Sequence, residues 1–189
     1  VLGIGAGEWK GIDGLGKSLI AELKPACVRA VRVGAVYLVT QIKLTLTGQR
    51  HGRRYLVSGA KRATYTASAP GEPPAVMFGN LRNSIGHGKV AWVGTLLVQC
   101  EVGVGLGQAA GLKIDPARTY ARRLEFGGVH VQRNTVSFRT ATGWATVKAG
   151  TVIRILARPY LAPTVERVQS LGMLTFVMQQ ELDHAGQGL

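Results

Sequence analysis

The sequence predicts an α+β fold, and three observations carry the prediction. Apolar residues recur at steps of three and four near both ends of the chain. Short β-branched or apolar runs bounded by glycine fill the middle. The resulting order is helix, loop, strands, short helix, hairpin, strand, helix, which is expected to give helices packed on an antiparallel sheet.

Residues 1–11 are glycine-rich with Trp9 as the one large anchor, and they read as a flexible N-terminal arm that orders against a partner, or else as a frayed tail. From residue 12 to 189 a single domain is expected. Ile12, Leu15, Leu19 and Leu23 fall at helical spacing with Asp13 as a candidate N-cap. Pro25 lacks a donor and crowds the preceding turn, so the spacing predicts one helix ending near Leu23 and a second from Pro25 to about Leu46. The second carries Val28, Val31, Ala35, Leu38, Ile42 and Leu46 on one stripe, with Arg29, Arg32 and Lys43 off it and Gly48 placed to end it.

Residues 48–80 hold five glycines and three prolines and show neither helical nor alternating periodicity, which predicts an extended loop. Loops of this length inside a small domain are uncommon unless they function or order against a neighbour. Strands are expected at Lys89–Val93, Leu96–Val104, Val129–Val131 with Val136–Phe138, and Thr151–Leu156. Tyr120, Ala121 and Leu124 suit a short helix after Pro116, and Val165 through Leu182 suit one C-terminal helix over 163–184.

At 189 residues the chain is long enough for a real core but short for two domains. Its formal charge of +13 attracts polyanions without choosing among nucleic acid, an acidic protein face and a membrane surface. Local basic clusters occur at Arg50, Arg53 and Arg54 and at Lys61 and Arg62. Cys27 and Cys100 lack any CxxC spacing and are expected to be buried free thiols. No secretory pattern or membrane-length apolar run stands out, so a soluble protein assembled in the cytosol is expected.

Gly11-Ile12-Asp13-Gly14-Leu15-Gly16-Lys17-Ser18 matches the phosphate-loop pattern GxxxxGK[ST]. Such a loop must leave a buried strand so that its N–H groups converge on phosphate, and Gly7-Glu8-Trp9-Lys10 does not read as one. Nucleotide binding through Lys17 and Ser18 is therefore the alternative reading. A free-standing nucleic-acid binder is a third, favoured by charge alone. The four histidines show no paired ligand spacing, and the dispersed carboxylates offer no acid–base pair, so neither a metal nor a cofactor nor catalysis is expected.

Three constellations remain. The first is Ser68-Ala69-Pro70-Gly71-Glu72-Pro73-Pro74 followed by Gly79-Asn80-Leu81-Arg82-Asn83-Ser84-Ile85. Prolines hold its first half extended, while Leu81 and Ile85 can dock the chain back on the core. The second is Tyr120-Ala121-Arg122-Arg123-Leu124-Glu125-Phe126-Gly127-Gly128, a short helix ending in a glycine bend. The third, Ala157-Arg158-Pro159-Tyr160-Leu161-Ala162-Pro163, joins the last strand to the last helix.

Together and in this order they resemble the tail-completion and head–tail joining proteins of long-tailed phages, over roughly residues 12–180. That family's pattern runs "SxPGEPP…TGxLRxSI", "YAxxLEFG", then "RPFL" or "RPYLxPA". This chain departs from it at Met77-Phe78, before Gly79, and at Thr164, after Pro163. Segments 105–118 and 129–146 look variable. The resemblance implies a structural virion protein of the neck and not an enzyme. It implies a homo-oligomeric ring, plausibly of six subunits, that completes the tail and joins it to the head connector. A tail terminator or neck adaptor would share that ring-forming role. The implied partners are neighbouring neck and tail-tube proteins, with non-specific contact to DNA in the channel and none to a membrane. The implied assembly residues are Ser68, Pro70, Gly71, Glu72, Pro73, Pro74, Leu81, Arg82, Ser84, Ile85, Tyr120, Leu124, Glu125, Phe126, Gly127, Arg158, Pro159, Tyr160, Leu161 and Pro163.

Overall fold

One helix organises the molecule. In the structure, a computed structural model, α1 runs without interruption over Ala6–Thr47 with Pro25 inside it. The backbone is described for residues 6–56, 64–76, 79–94, 97–106, 114–140 and 143–187, and side chains for the same residues except 6–19, 22, 56, 114–119, 138–140 and 143. The expected break at Pro25 does not occur. An internal proline costs about 3 kcal/mol of helix stability, but Ala26 and Ala30 just beyond it are buried, so packing holds the axis through the lost hydrogen bond. Of the expected arm, residues 6–11 are the first turns of α1, and residues 1–5 lie outside the described residues.

The buried face of α1 combines Ala35, Val39, Ile42 and Leu46 with a run of small residues, Ala26, Ala30 and Gly34. Helix α5 (Met173–Gly186) packs on it closely enough that a Cβ on Gly34 would lie 2.9 Å from Met178 Cγ. The sequence stripe named the large members Ile42 and Leu46 and passed over the small ones, whose value lies in letting another helix approach.

The segment expected to be loop, 48–80, contains a strand pair. β1 (Arg54–Leu56) and β2 (Thr64–Thr66) are antiparallel, Arg54 opposite Thr66, and bonds between Gly52, Arg53 and Ala67 extend the pairing. Strands of three residues are too short to show alternation. A short helix α2 (Asn80–Ser84) leads into β3 (Ile85–His87), β4 (Ala91–Val93), β5 (Leu97–Gln99) and β6 (Val102–Val104). β3 pairs with β6 and β4 with β5, and the register slips by one residue between the pairs. The four strands form one bulged hairpin, joined at the slip by the Gly88 N–H donating to the Glu101 carbonyl at 2.8 Å.

Helix α3 (Ile114–Phe126) matches the expected short helix. β7 (Gly128–Val131), β8 (Val136–Thr140), β9 (Gly143–Val147) and β10 (Val152–Ile155) follow. The expected pairing of 129–131 with 136–138 is corrected: β7 pairs with β10 and β8 with β9. Val131 faces Val152 and Val136 faces Val147, a single register, and Gln132 bridges the two pairs through bonds of 2.9 Å to Thr151 and 2.8 Å from Gly150. Residues 128–140 and 143–155 are therefore the two strands of one long ribbon, called the 128–155 ribbon below. The C-terminal helix is two, α4 (Ala162–Ser170) and α5, parted at Gly172, whose φ of 64° ends the first and starts the second. The result is an α+β fold in which small antiparallel hairpins stand on a framework of helices.

Candidate assembly site

The three constellations converge. Ile85 from the first, Leu124 from the second and Tyr160 from the third are all buried in one cluster with Val39, Ile42 and Leu46 of α1, and Leu81 and Leu161 pack against it. Sequence separations of 36 to 75 residues close here because α1 offers each of them the same apolar face.

Glu125 ties the second constellation to the third. Its carboxylate is 6% exposed and accepts three backbone N–H bonds, from Tyr160 at 2.9 Å, Leu161 at 3.0 Å and Ala162 at 2.9 Å. These are the donors that lead into α4, whose own N-cap position, Leu161, supplies no side-chain acceptor. Helix starts leave such donors unsatisfied, and an anion there also meets the positive end of the helix dipole. Pro163 next in line has no N–H to satisfy. One backbone bond runs alongside, from Arg158 N–H to the Leu124 carbonyl at 2.6 Å. Gly127 makes the bend after α3 with φ of 72°, and a Cβ there would sit 3.1 Å from both Ala157 N and Ile155 O.

The first constellation closes on the end of α1. Ala69, Pro70, Gly71 and Glu72 form a turn closed by Glu72 N–H on Ala69 O at 3.2 Å, with proline second and a left-handed glycine (φ 82°) third, the composition of a type II turn. The Glu72 carboxylate accepts from Ala69 N–H at 2.8 Å and His51 N–H at 3.1 Å and meets His51 Nδ1 at 2.6 Å. Those bonds, led by that from Ala69, hold its pKa down to about 2. Ser68 Oγ donates to Pro73 O at 2.7 Å. The Arg50 guanidinium caps α1 by donating to the Thr45, Leu46 and Gly48 carbonyls and reaches Pro74 O at 3.3 Å. Burial lowers the Arg50 pKa, an effect that Glu72 opposes. Arg50, which sequence reading saw only as part of a basic cluster, is a structural cap.

The expected assembly residues thus divide. Ser68, Pro74, Ser84, Ile85, Leu124, Glu125 and Tyr160 are buried within the chain and hold it together. Glu72, Pro73, Leu81, Gly127, Arg158, Pro159 and Leu161 are half-buried. Pro70, Gly71, Arg82, Tyr120, Phe126 and Pro163 are exposed and free to meet a neighbour. Phe126, 76% exposed, stands beside a groove of about 300 Å³ that Val104, Ala121, Arg122, Glu125, Leu161 and Ala162 also line. Met77-Phe78, Lys61 and Arg62 lie outside the described residues.

Gly11, Gly16, Lys17 and Ser18 lie inside α1. A phosphate loop needs non-helical backbone whose N–H groups point at one spot, whereas helical N–H groups are engaged four residues back, so the expected alternative lacks its loop. Cys27 and Cys100 are free and half-buried. Cys100 Sγ lies 3.9 Å from His87 Nδ1, but burial raises its pKa, opposite to what a thiolate nucleophile requires. Among the described residues no group of three potential ligands could hold a metal, and no helix is long and apolar enough to cross a membrane.

Compared with models of known families, with characterised proteins and with solved structures, the chain gives no match.

Proposed function

We propose that this chain is a ring-forming structural subunit of the neck of a long-tailed phage, completing the tail and joining it to the head connector. The observation that carries the assembly half of this reading is surface. Among the described residues many large apolar side chains lie open to solvent: Phe126, Val129, Val131, Val152 and Leu156 along α3 and the adjoining ribbon, Leu171 between the two C-terminal helices and Phe176 on α5. Apolar surface of this extent is normally covered by a partner.

The neck half of the reading rests on the three motifs. Their joint placement supports it, since Glu125 makes "YARRLEFG" and "RPYLAP" one structural unit. Subunits meeting head to tail close into a ring, of six on this reading, and the groove beside Phe126 offers room for an apolar side chain of the next copy. Imaging of tailed particles tests the placement: the subunit should circle the axis between tail tube and connector. A terminator would sit at the end of the tube and an adaptor against the connector. Particles lacking any such ring of this chain would overturn the reading.

A further inference from the structure

No carboxylate occurs between Glu125 and Glu166, while Arg133, Arg139, Lys148, Arg154 and Arg158 do, and four of the five lie on the 128–155 ribbon. The charge is polarised, because the segment from Glu166 to the C-terminus holds Glu166, Glu181 and Asp183 against Arg167 alone. The ribbon itself has two parts. Its base exposes Val129, Val131 and Val152, the kind of surface a protein neighbour covers. Its outer part, 132–151, exposes Arg133, Asn134, Thr135, Ser137, Thr146 and Lys148. Each of these can donate a hydrogen bond, one hydroxyl of the Ser137–Thr146 pair doing so to the other at 2.9 Å. Among the described residues no carboxylate lies within ion-pair distance of Arg133, Lys148 or Arg154.

We propose that the outer ribbon is a contact surface for duplex nucleic acid, gripping its phosphates without reading sequence. A duplex backbone is an unbroken row of anionic acceptors, and arginine, lysine, serine, threonine and asparagine are the side chains that bind it. From residue 126 to residue 165 the chain holds no carboxylate to repel that row. A two-stranded ribbon also fits the major groove, about 12 Å wide. A single strand would call for a series of stacking aromatics, and Trp144 is the one exposed aromatic of the outer ribbon among the described residues. The inference rests on the neck reading for its biological setting and deepens it by assigning DNA contact to one surface, while its test stands apart from ring formation, since a duplex can be gripped by one subunit or by a ring.

The test is fluorescence anisotropy of the whole chain with a labelled 25-base-pair duplex across a salt series. Arg133→Gln and Lys148→Gln combined should lower the slope of log affinity against log salt by about 1.8, at about 0.9 per phosphate contact. Arg29→Gln and Arg32→Gln combined remove the same charge from exposed positions off the ribbon and should change the slope by less than about 0.6. Circular dichroism and sedimentation establish that both variants keep the fold and assembly state of the parent. Equal slope losses in the two variants would overturn the proposal, because diffuse charge would then explain binding. So would binding of poly-glutamate or of a single strand as tight as that of the duplex, or no duplex binding at low salt.

Discussion

Replacing Glu125 with alanine removes the acceptor of three backbone donors at once. An N–H group left buried without a partner costs about 1–3 kcal/mol. The Tyr160 N–H is fully buried, whereas those of Leu161 and Ala162 are partly so and border a groove through which water can reach them. One full penalty and two reduced ones give a loss of about 2–4 kcal/mol. Glu125→Gln keeps the shape and one carbonyl oxygen but turns an amide donor toward a donor, so a loss of about 1–3 kcal/mol follows. Urea unfolding reads both. With a slope of about 2 kcal/mol per molar, the alanine variant should lose about 1–2 M in midpoint and the glutamine variant less. Hydrogen exchange at residues 160–162 should quicken in the same order. An alanine variant within about 0.5 kcal/mol of the parent would refute the argument, since that is the range of surface substitutions that touch nothing.

Three further outcomes follow from the same geometry. Glu72 has its pKa depressed from 4.5 to about 2, so its bonds contribute stability above pH 4.5 that disappears as pH falls toward 2. The gap in urea midpoint between the parent and Glu72→Gln should therefore be constant near neutrality and close over that interval; a gap that widens on acidification would contradict the assignment. Among the described residues the buried Tyr160 hydroxyl has no hydrogen-bond partner, and burial followed by the nearby Glu125 pushes its pKa up. Tyr160→Phe should thus leave stability unchanged or raise it by up to about 2 kcal/mol, and a clear loss in thermal melting would reveal a bond that the geometry lacks. Gly127→Ala should cost about 1–3 kcal/mol through its left-handed backbone and the crowding against Ile155 and Ala157, read as a lowered melting temperature.

Much of the fold was legible where the signal is local. Periodicity marked α3 and the C-terminal half of α1, and glycine-bounded β-branched runs marked β4, β7, β8 and β10. Where the deciding partner was distant, local rules misled. Pro25 read as a break because the packing of Ala26 and Ala30 that overrides it is tertiary. β7 and β8 read as a hairpin because they are neighbours in sequence, yet β9, with the strand formers Trp144, Thr146 and Val147 between small residues, supplies β8's partner. Gly172 was the one available mark of the gap between α4 and α5, and the regular spacing around it concealed it.

The site shows the same division. The three constellations stood out by their residues, but the role of Glu125 could not be read from sequence, because the helix it caps begins 37 residues later. Most of the motif residues prove to be the chain's own framework. What is left exposed, Phe126 and the ribbon rising from it, is where an assembly surface should be sought.

Sedimentation at increasing protein concentration tests the central claim most directly. A chain of 20.1 kDa that builds a six-membered ring should converge on a species of about 120 kDa, with no stable dimer accumulating on the way. A single species of 20.1 kDa persisting at high concentration would contradict the account.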